Sequence, residues 1–167
     1  MSRLLLTGIL LLLPLAAPAL DSDRRQPLDL VADQARIDNQ RGIAIYTGHV
    51  KVVQGTLHLW AERLETRMRN GEIQRILADG RPARYRQRPD GRQEDVTAVA
   101  HHMDYQADRG RLILDGGAEV HQGGDVFRSE HIVYDIKADR VQAGGSKAGE
   151  RVHITIQPRE RPGASPP

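Results

Sequence analysis

The sequence predicts an all-β fold built from two tandem copies of one antiparallel unit. Turn signals recur at short intervals between runs rich in Val, Ile, Leu and Tyr, and no stretch keeps a 3.6-residue apolar period for long. The same pattern then recurs further along the chain without a gap. The turn signals are Arg41-Gly42, Gln54-Gly55, Asn70-Gly71, Asp79-Gly80, Asp90-Gly91, Arg109-Gly110, Gly123-Gly124 and Gly144-Gly145.

The composition describes one soluble domain of ordinary size and excludes several classes of function. The 167 residues carry 24 Lys and Arg against 22 Asp and Glu, a balance that does not fit the concentrated basic face of a nucleic-acid binder. Aromatic residues make up 4%, so base-stacking surfaces are not expected, and we expect no nucleic-acid partner. The absence of cysteine excludes disulfides, thiolate metal sites and cysteine nucleophiles.

Residues 1–19 have the pattern of a cleaved signal peptide. Arg3 gives a positive start, residues 4–15 are almost entirely apolar, and Ala17-Pro18-Ala19 has the small-x-small form that signal peptidase reads. The apolar run is short for a membrane span, so an uncleaved anchor is the weaker alternative. We therefore expect an exported chain that begins at Leu20.

Two repeats, over about 28–87 and 96–157, make up the predicted domain at 20–158. Ala100 lies 100 − 32 = 68 positions after Ala32, and many other pairs match at this offset. They include Val31 with Val99, Arg41-Gly42 with Arg109-Gly110, Gly48 with Gly116, Val52 with Val120, Gln54-Gly55 with Gln122-Gly123, and Glu62 with Glu130. Residues 159–167 contain Pro and Gly and no apolar period, which predicts a flexible tail.

The repeat predicts the buried face of each strand, because side chains along a strand alternate between the two faces. Asp115 and Glu119 are charged and their neighbours Leu114 and Val120 are apolar, so the apolar residues belong to one face and the charged residues to the other. In the first copy this inner face is Ala44, Tyr46, Gly48, Val50 and Val52. After Ala61 and after Ser129, the apolar residues move from one set of alternate positions to the other, which predicts a bulge or bend at both places.

No residue pattern indicates catalysis, so the sequence predicts a protein that is not an enzyme. Ser129 and the other serines lie in no Gly-x-Ser-x-Gly elbow, and no glycine run matches a phosphate loop. Adjacent strand residues such as His101 and His102 point to opposite faces, so we expect no metal and no other cofactor. A carbohydrate-active enzyme that uses the scattered carboxylates is the least favoured alternative.

One long segment resembles the core motif of the OstA-like proteins. The chain reads Tyr46-Thr47-Gly48-His49-Val50-Lys51-Val52-Val53-Gln54-Gly55, then alternating apolar residues, then Ala61-Glu62-Arg63-Leu64. The family pattern is aromatic-Thr-Gly-x-Val-x-Val-x-Gln-Gly followed by Ala-Asp-x-Val, so Glu62 replaces the usual Asp. The second copy departs further, with Gly117-Ala118 and Ser129-Glu130 in the motif.

The resemblance implies an open, twisted antiparallel β-jellyroll with a V-shaped section and an apolar groove. It also implies a periplasmic carrier of lipopolysaccharide that shelters the acyl chains of lipid A between the inner and outer membranes, with LptC and LptD as its partners there. The first and last predicted strands, 28–32 and 152–157, carry neither proline nor inward charge. That feature favours edge-strand pairing with the partners and head-to-tail self-association.

The resemblance also implies the residues that line the lipid-binding groove, from both copies and the C-terminal end. They are Leu28, Leu30, Ile37, Tyr46, Val50, Val52, Leu57, Leu59, Met68, Tyr105, Leu112, Leu114, Val120, Phe127, Ile132, Tyr134, Val152, Ile154 and Ile156.

Two other interpretations of the same pattern stay open. One is an LptC-like periplasmic domain of the same pathway, against which the Ala17-Pro18-Ala19 cleavage pattern speaks. The other is a structural β-domain whose core is filled by its own side chains. Small inner residues such as Ala44 and Ala118 fit both a groove with room for a guest and two closely packed sheets.

Overall fold

The computed structural model describes residues 21–144 and 150–158, which confirm the predicted all-β class. One short helix, α1 (Asp21–Arg24), precedes the strands of a single sheet. The strands are β1 (Leu28–Val31), β2 (Gln34–Asp38), β3 (Ile43–Gln54), β4 (Leu57–Arg69), β5 (Glu72–Gln87), β6 (Val96–Gln106), β7 (Arg111–Gln122), β8 (Asp125–Asp135), β9 (Arg140–Ala143) and β10 (His153–Thr155). In this part of the chain, no helix is long and apolar enough to cross a membrane.

The sheet is antiparallel and open, with two edges. Its order is β1-β3-β4-β5-β6-β7-β8-β10, while β2 pairs with β3 beside β1 and β9 pairs with β8 beside β10. Each edge therefore consists of two short strands that share one long neighbour. We call β1 and β2 the first edge, and β9 and β10 the last edge.

A line of register shifts crosses the long strands near their middles. The shifts fall between Thr47 and Val50 in β3, between Trp60 and Arg63 in β4, and between Asp115 and Ala118 in β7, with matching shifts in β5 and β6. Because bulges bend and twist a strand, neighbouring bulges fold the sheet along this line into two layers. The parity change predicted after Ala61 thus falls at a real irregularity.

Gly48 and Gly116, which lie 68 positions apart, share the same backbone geometry. Neither lies on the inner face, where alternation had placed them. Gly48 has φ 78° and Gly116 has φ 80°, and both lie in bulges. A Cβ on Gly48 would lie 2.1 Å from Asp33 Oδ2, and a Cβ on Gly116 would lie 3.1 Å from His101 Cβ. Asp33 and His101 are exposed, so neither glycine contributes to the inner face.

The turn predicted at Asp79-Gly80 is wrong. Both residues lie inside β5, which runs without a break from Glu72 to Gln87. The local irregularity is a register shift between Asp79 and Ala83, and a Cβ on Gly80 would lie 2.6 Å from the Ala83 nitrogen. Gly80 therefore allows the chain to approach itself within a strand rather than reverse direction.

The prediction that apolar residues occupy one face only is also wrong in part. Cross-strand pairing places Leu77 beside Asp104, and Asp104 beside Ile113, on the outer face. Ile113 then pairs with Val133 on the same face, and all three apolar side chains are half-buried. The stems of long charged side chains cover apolar neighbours while their charged ends stay in water, which explains how a charged face tolerates such residues.

Several segments lie outside the described residues. They are the predicted signal peptide at 1–19, Gly145 of the last turn signal, and the predicted tail at 159–167.

Candidate functional site

The inner face carries two rows of cross-strand neighbours that run from edge to edge. In the first row, each residue lies opposite the next on the adjacent strand: Leu30, Val52, Leu59, Tyr85, Ala98, Val120, Phe127 and Ile154. The second row lies on the other side of the bend and is Ile37, Ala44, Thr66, Ile76, Tyr105, Leu112, Tyr134 and Val141. Seven strand spacings of about 4.8 Å make each row roughly 34 Å long.

The two rows face each other across the interior. Tyr85 of the first row and Tyr105 and Tyr134 of the second row are all buried, and they belong to one hydrophobic core. Burial raises the pKa of Tyr85 well above its usual value, and Tyr105, Tyr134 and Asp23 raise it further. The layers thus enclose an apolar interior between them.

The predicted groove residues divide into three groups by exposure. Those buried in the interior are Val50, Val52, Leu57, Leu59, Tyr105, Leu112, Leu114, Val120, Ile132 and Tyr134. Those half-buried against this core are Leu28, Leu30, Tyr46 and Phe127. Those exposed are Ile37 at 61%, Met68 at 43%, Val152 at 37%, Ile154 at 53% and Ile156 at 72%.

The exposed group concentrates near the ends of the rows. Ile37 belongs to β2 and Ile154 to β10, so each lies at an edge of the sheet that residues 21–144 and 150–158 form. Ile37 and Ala44 also line a cavity of about 370 Å³, together with Met68 at the end of β4. The apolar interior therefore reaches the surface at both edges.

The interior also contains residues that the groove prediction omitted. Ile76, Ala78, Ala83 and Tyr85 all come from β5, and Met103 comes from β6. Apolar and polar residues alternate along β5 in the sequence, but the turn predicted at Asp79-Gly80 divided this strand into two segments.

A buried polar network closes one end of the strands and was also missed. Asp23 in α1 is 6% exposed, and its carboxylate accepts hydrogen bonds from Thr56 N at 2.8 Å, Thr56 Oγ1 at 2.7 Å and Gln87 Nε2 at 2.6 Å. The Tyr85 hydroxyl donates to Gln87 Oε1 at 2.5 Å. The carboxylate of Asp23, the amide of Gln87 and the hydroxyl of Tyr85 therefore all have hydrogen-bond partners within the chain, which offsets the cost of burying them.

The outer face carries a row of polar side chains that contact one another beside the bend. Asp79 Oδ2 accepts from Arg63 Nη1 at 3.4 Å, and Asp79 Oδ1 lies 2.6 Å from His102 Nδ1. His131 Nδ1 lies 2.6 Å from Asp115 Oδ1, and His102 and Asp115 are cross-strand neighbours. These histidines thus serve as cross-strand partners for carboxylates on the outside of the sheet.

Three comparisons relate this architecture to known proteins. A family model described as "LptA/(LptD N-terminal domain) LPS transport protein" matches residues 29–140. The lipopolysaccharide export system protein LptH of Pseudomonas aeruginosa is 34% identical over 152 residues, which cover 87% of each chain. The lipopolysaccharide export system protein LptA of Escherichia coli K12 is 30% identical over 160 residues, covering 95% of this chain and 85% of the relative.

A solved structure shows the same fold. The crystal structure of Pseudomonas aeruginosa LptH, described as the LptA homologous periplasmic component of the lipopolysaccharide transport device, matches with a TM-score of 0.75 and 33% identity. The match covers 82% of this chain and 99% of that one. The predicted open β-jellyroll is thereby confirmed.

Proposed function

Since this chain belongs to the LptA and LptD N-terminal domain family of LPS transport proteins, we propose that it carries lipopolysaccharide through the periplasm. The acyl chains of lipid A lie between the two inner rows, and the sugar and phosphate groups remain outside. The observation that supports this most directly is the continuity of the first row from Leu30 at one edge to Ile154 at the other.

The energetics suit a carrier. Removing one methylene from water contributes about 0.8 kcal/mol, so a partly sheltered chain of about ten carbons gains several kcal/mol. Polar groups of the interior, such as Asp23 and Gln87, are already bonded to each other. A lining with few free polar anchors binds acyl chains without fixing them at one position, which transit requires.

The partners join at the sheet edges. In the part of the chain that the structure describes, both edges present short strands with a single neighbour, and β10 carries exposed Ile154. Strand addition at these edges, by LptC at the inner membrane, LptD at the outer membrane or another copy head-to-tail, extends the rows into one apolar path. Periplasmic location after removal of residues 1–19, and a role without catalysis, complete the proposal.

A photo-crosslinking pair tests the carrier function. Leu114 is fully buried inside, and Asp115 is its outward neighbour. A crosslinking residue at Leu114 captures lipopolysaccharide, whereas the same residue at Asp115 does not, because adjacent strand positions face opposite sides. Val52 and Lys51 form a second matched pair. Equal capture at both members of each pair contradicts the assignment of the inner face.

One observation favours the filled-core alternative. Leu112, Leu114, Ile132 and Tyr134 are each 0% exposed, so the chain's own side chains cover the interior here. That alternative predicts no capture at Leu114 even at saturating lipopolysaccharide. The LptC-like alternative is less favoured, because the relatives are named LptA and LptH.

A further inference from the structure

Four arginine side chains line one cavity at the rim of the sheet where the β4–β5 and β6–β7 hairpins turn. Arg67 and Arg69 lie at the end of β4, Arg75 lies near the start of β5, and Arg109 lies in the turn between β6 and β7. The cavity has a volume of about 270 Å³. Pockets that enclose a whole drug-sized ligand begin at roughly 300 Å³, so this cavity fits a compact group instead.

Two of these arginines are held in place by carboxylates. Arg75 donates from Nε and Nη2 to the two carboxylate oxygens of Asp104, at 2.6 Å each. Arg67 Nε lies 3.0 Å and Arg67 Nη2 lies 2.9 Å from Glu65 Oε1. A guanidinium has five N–H donors, so these pairs orient both side chains and leave N–H groups for a further acceptor.

The other two arginines carry charge that no carboxylate neutralises within hydrogen-bond distance. Arg69 is exposed and makes no hydrogen bond or ion pair with another described residue. Arg109 is 66% exposed, and its Nε lies 4.0 Å from Asp108 Oδ2, at the side of the same cavity. Arg67 also lies directly opposite Arg75 across the strands, where like charges destabilise a sheet. A bound anion would relieve this repulsion.

The cavity adjoins an apolar one. Met68 lines it and also lines the cavity of about 370 Å³ that Ile37 and Ala44 form at the same rim. Ala44 belongs to the second inner row and is buried. A molecule with a negatively charged group next to apolar chains can therefore place the charge among the arginines and the chains in the interior.

We propose that Arg67, Arg69, Arg75 and Arg109 form an arginine pocket that binds a phosphate group of the carried lipid while its acyl chains lie in the interior. The inference rests on the proposed function, since it names where the headgroup of that lipid is bound. Guanidinium groups match the oxygens of a phosphate, and its two charges match the unneutralised Arg69 and Arg109.

The arginine pocket is compatible with movement of the lipid from edge to edge. Arg67 and Arg75 lie next to the inner residues Thr66 and Ile76 and therefore point to the outer face, so the pocket leaves the path between the rows open. Ion pairs at exposed side chains are weak, so they release the headgroup as the acyl chains advance.

A double variant tests the pocket. Arg69→Gln with Arg109→Gln removes two positive charges from exposed side chains. We expect the Kd for lipopolysaccharide, measured by surface plasmon resonance on the immobilised protein, to rise about fivefold. With lipopolysaccharide whose phosphates have been removed enzymatically, the variant and the wild type bind alike. The matched control is Arg81→Gln with Arg84→Gln, which removes the same charge from exposed positions of β5 outside the pocket and leaves the Kd unchanged.

Two further measurements separate the phosphate contact from a structural effect and from free phosphate. Asp108→Asn removes the negative charge beside Arg109, so it should lower the Kd for lipopolysaccharide about twofold, which a damaged fold would not do. Inorganic phosphate lacks acyl chains, so it should shift the NMR signal of the Arg109 Nε–H only at concentrations far above the Kd for lipopolysaccharide.

The outcomes separate the arginine pocket from the carrier function. If the wild type and the Arg69→Gln, Arg109→Gln variant bind lipopolysaccharide equally well, the pocket is wrong while the carrier function stands. An equal loss of affinity for the dephosphorylated lipid, or weaker binding by Asp108→Asn, also overturns the pocket. Inorganic phosphate that binds as tightly as lipopolysaccharide would show a site for free phosphate instead. If the wild type binds neither form of the lipid, the carrier function itself is wrong, and the pocket with it.

Discussion

Asp23 is a buried carboxylate whose partners come from distant parts of the chain. Replacing Asp23 with Ala leaves Thr56 N–H and the Gln87 amide without their acceptor, which we expect to cost about 3 kcal/mol of the free energy of unfolding. Urea denaturation measures this loss. Ser22→Ala, at the exposed neighbouring position, is the control. A loss below about 0.5 kcal/mol for Asp23→Ala would contradict the network, since surface substitutions change stability by that little.

Asp104 makes a pH-dependent contribution to the free energy of unfolding. Burial acts to raise its pKa, but hydrogen bonds from Arg75, at 2.6 Å to each oxygen, and from Gln106 outweigh burial and lower it. A carboxyl with a lowered folded-state pKa stabilises the fold above its unfolded pKa of about 3.9, and the contribution disappears as pH falls through the folded value.

Asp104→Asn should therefore destabilise the protein by about 1.5 kcal/mol at neutral pH. The difference from the wild type should shrink as the pH falls from about 4 through the lowered folded-state pKa, because the wild-type carboxyl is neutral in the folded protein below that value. Chemical denaturation across pH measures both quantities. Asp108→Asn is the control, because Asp108 is exposed and lies 4.0 Å from Arg109. A pH-independent difference for Asp104→Asn would show that the ion pair is not its cause.

Individual contacts of this kind were beyond prediction from the sequence. Asp23 is separated from Thr56 by 33 positions and from Gln87 by 64, and no local pattern marks the three as neighbours. The inward position of Leu114, by contrast, followed from alternation alone, because its charged neighbour Asp115 fixed the face. Alternation with a period of two shows which face of a strand each side chain occupies, whereas long-range hydrogen bonds depend on how the sheet folds.

At the scale of elements, β10 is the strand least supported by its own chain. All three of its residues are exposed, and among the described strands it pairs with β8 alone, where Ile154 lies opposite Phe127. We expect Ile154→Pro to leave the thermal unfolding of the monomer nearly unchanged, because little surface is buried there. Association between copies, measured by light scattering against concentration, should weaken about tenfold, because proline removes a backbone donor at an edge used for strand addition.

A conservative change at the same position separates the effect of losing the backbone N–H from the effect of changing the side chain. Ile154→Thr keeps a good strand former with its N–H and should retain most of the association. If Ile154→Pro associates as well as the wild type, strand addition does not occur at this edge. A wild type that stays monomeric at high concentration and binds no partner domain contradicts the whole edge-pairing proposal.

Prediction of the elements succeeded where alternation was regular and failed where a glycine had two possible roles. The hairpin turns at Asn70-Gly71 and Arg109-Gly110 lie between strands as expected. Asp79-Gly80 has the same local chemistry but sits in a bulge, because β5 continues across the bend to join the two halves. Turn and bulge both need a small residue, so local sequence does not distinguish them.

At the scale of the molecule, one fold brings two apolar rows together and leaves their ends open, which is the arrangement that the proposed carrier function requires. The repeat predicted the inner faces of both copies, and the resemblance predicted the open jellyroll. The contact between Gln122 and Asp139 followed from neither, since Gln122 ends β7 at the opposite end of the strands from the turn between β8 and β9 that holds Asp139. Such contacts arise from curvature, which accumulates over many strands and has no local signature.

Photo-crosslinking along the first row tests the central claim of an apolar path from edge to edge most directly. The probe is placed in turn at Leu30, Leu59, Val120 and Ile154, with outward-facing Lys51 and His121 as controls. The predicted result is capture of lipopolysaccharide at all four inner positions and at neither control. Capture at Leu30 and Ile154 alone, with none at buried Leu59 and Val120, would contradict the claim, because lipid would then reach the edges without entering the interior.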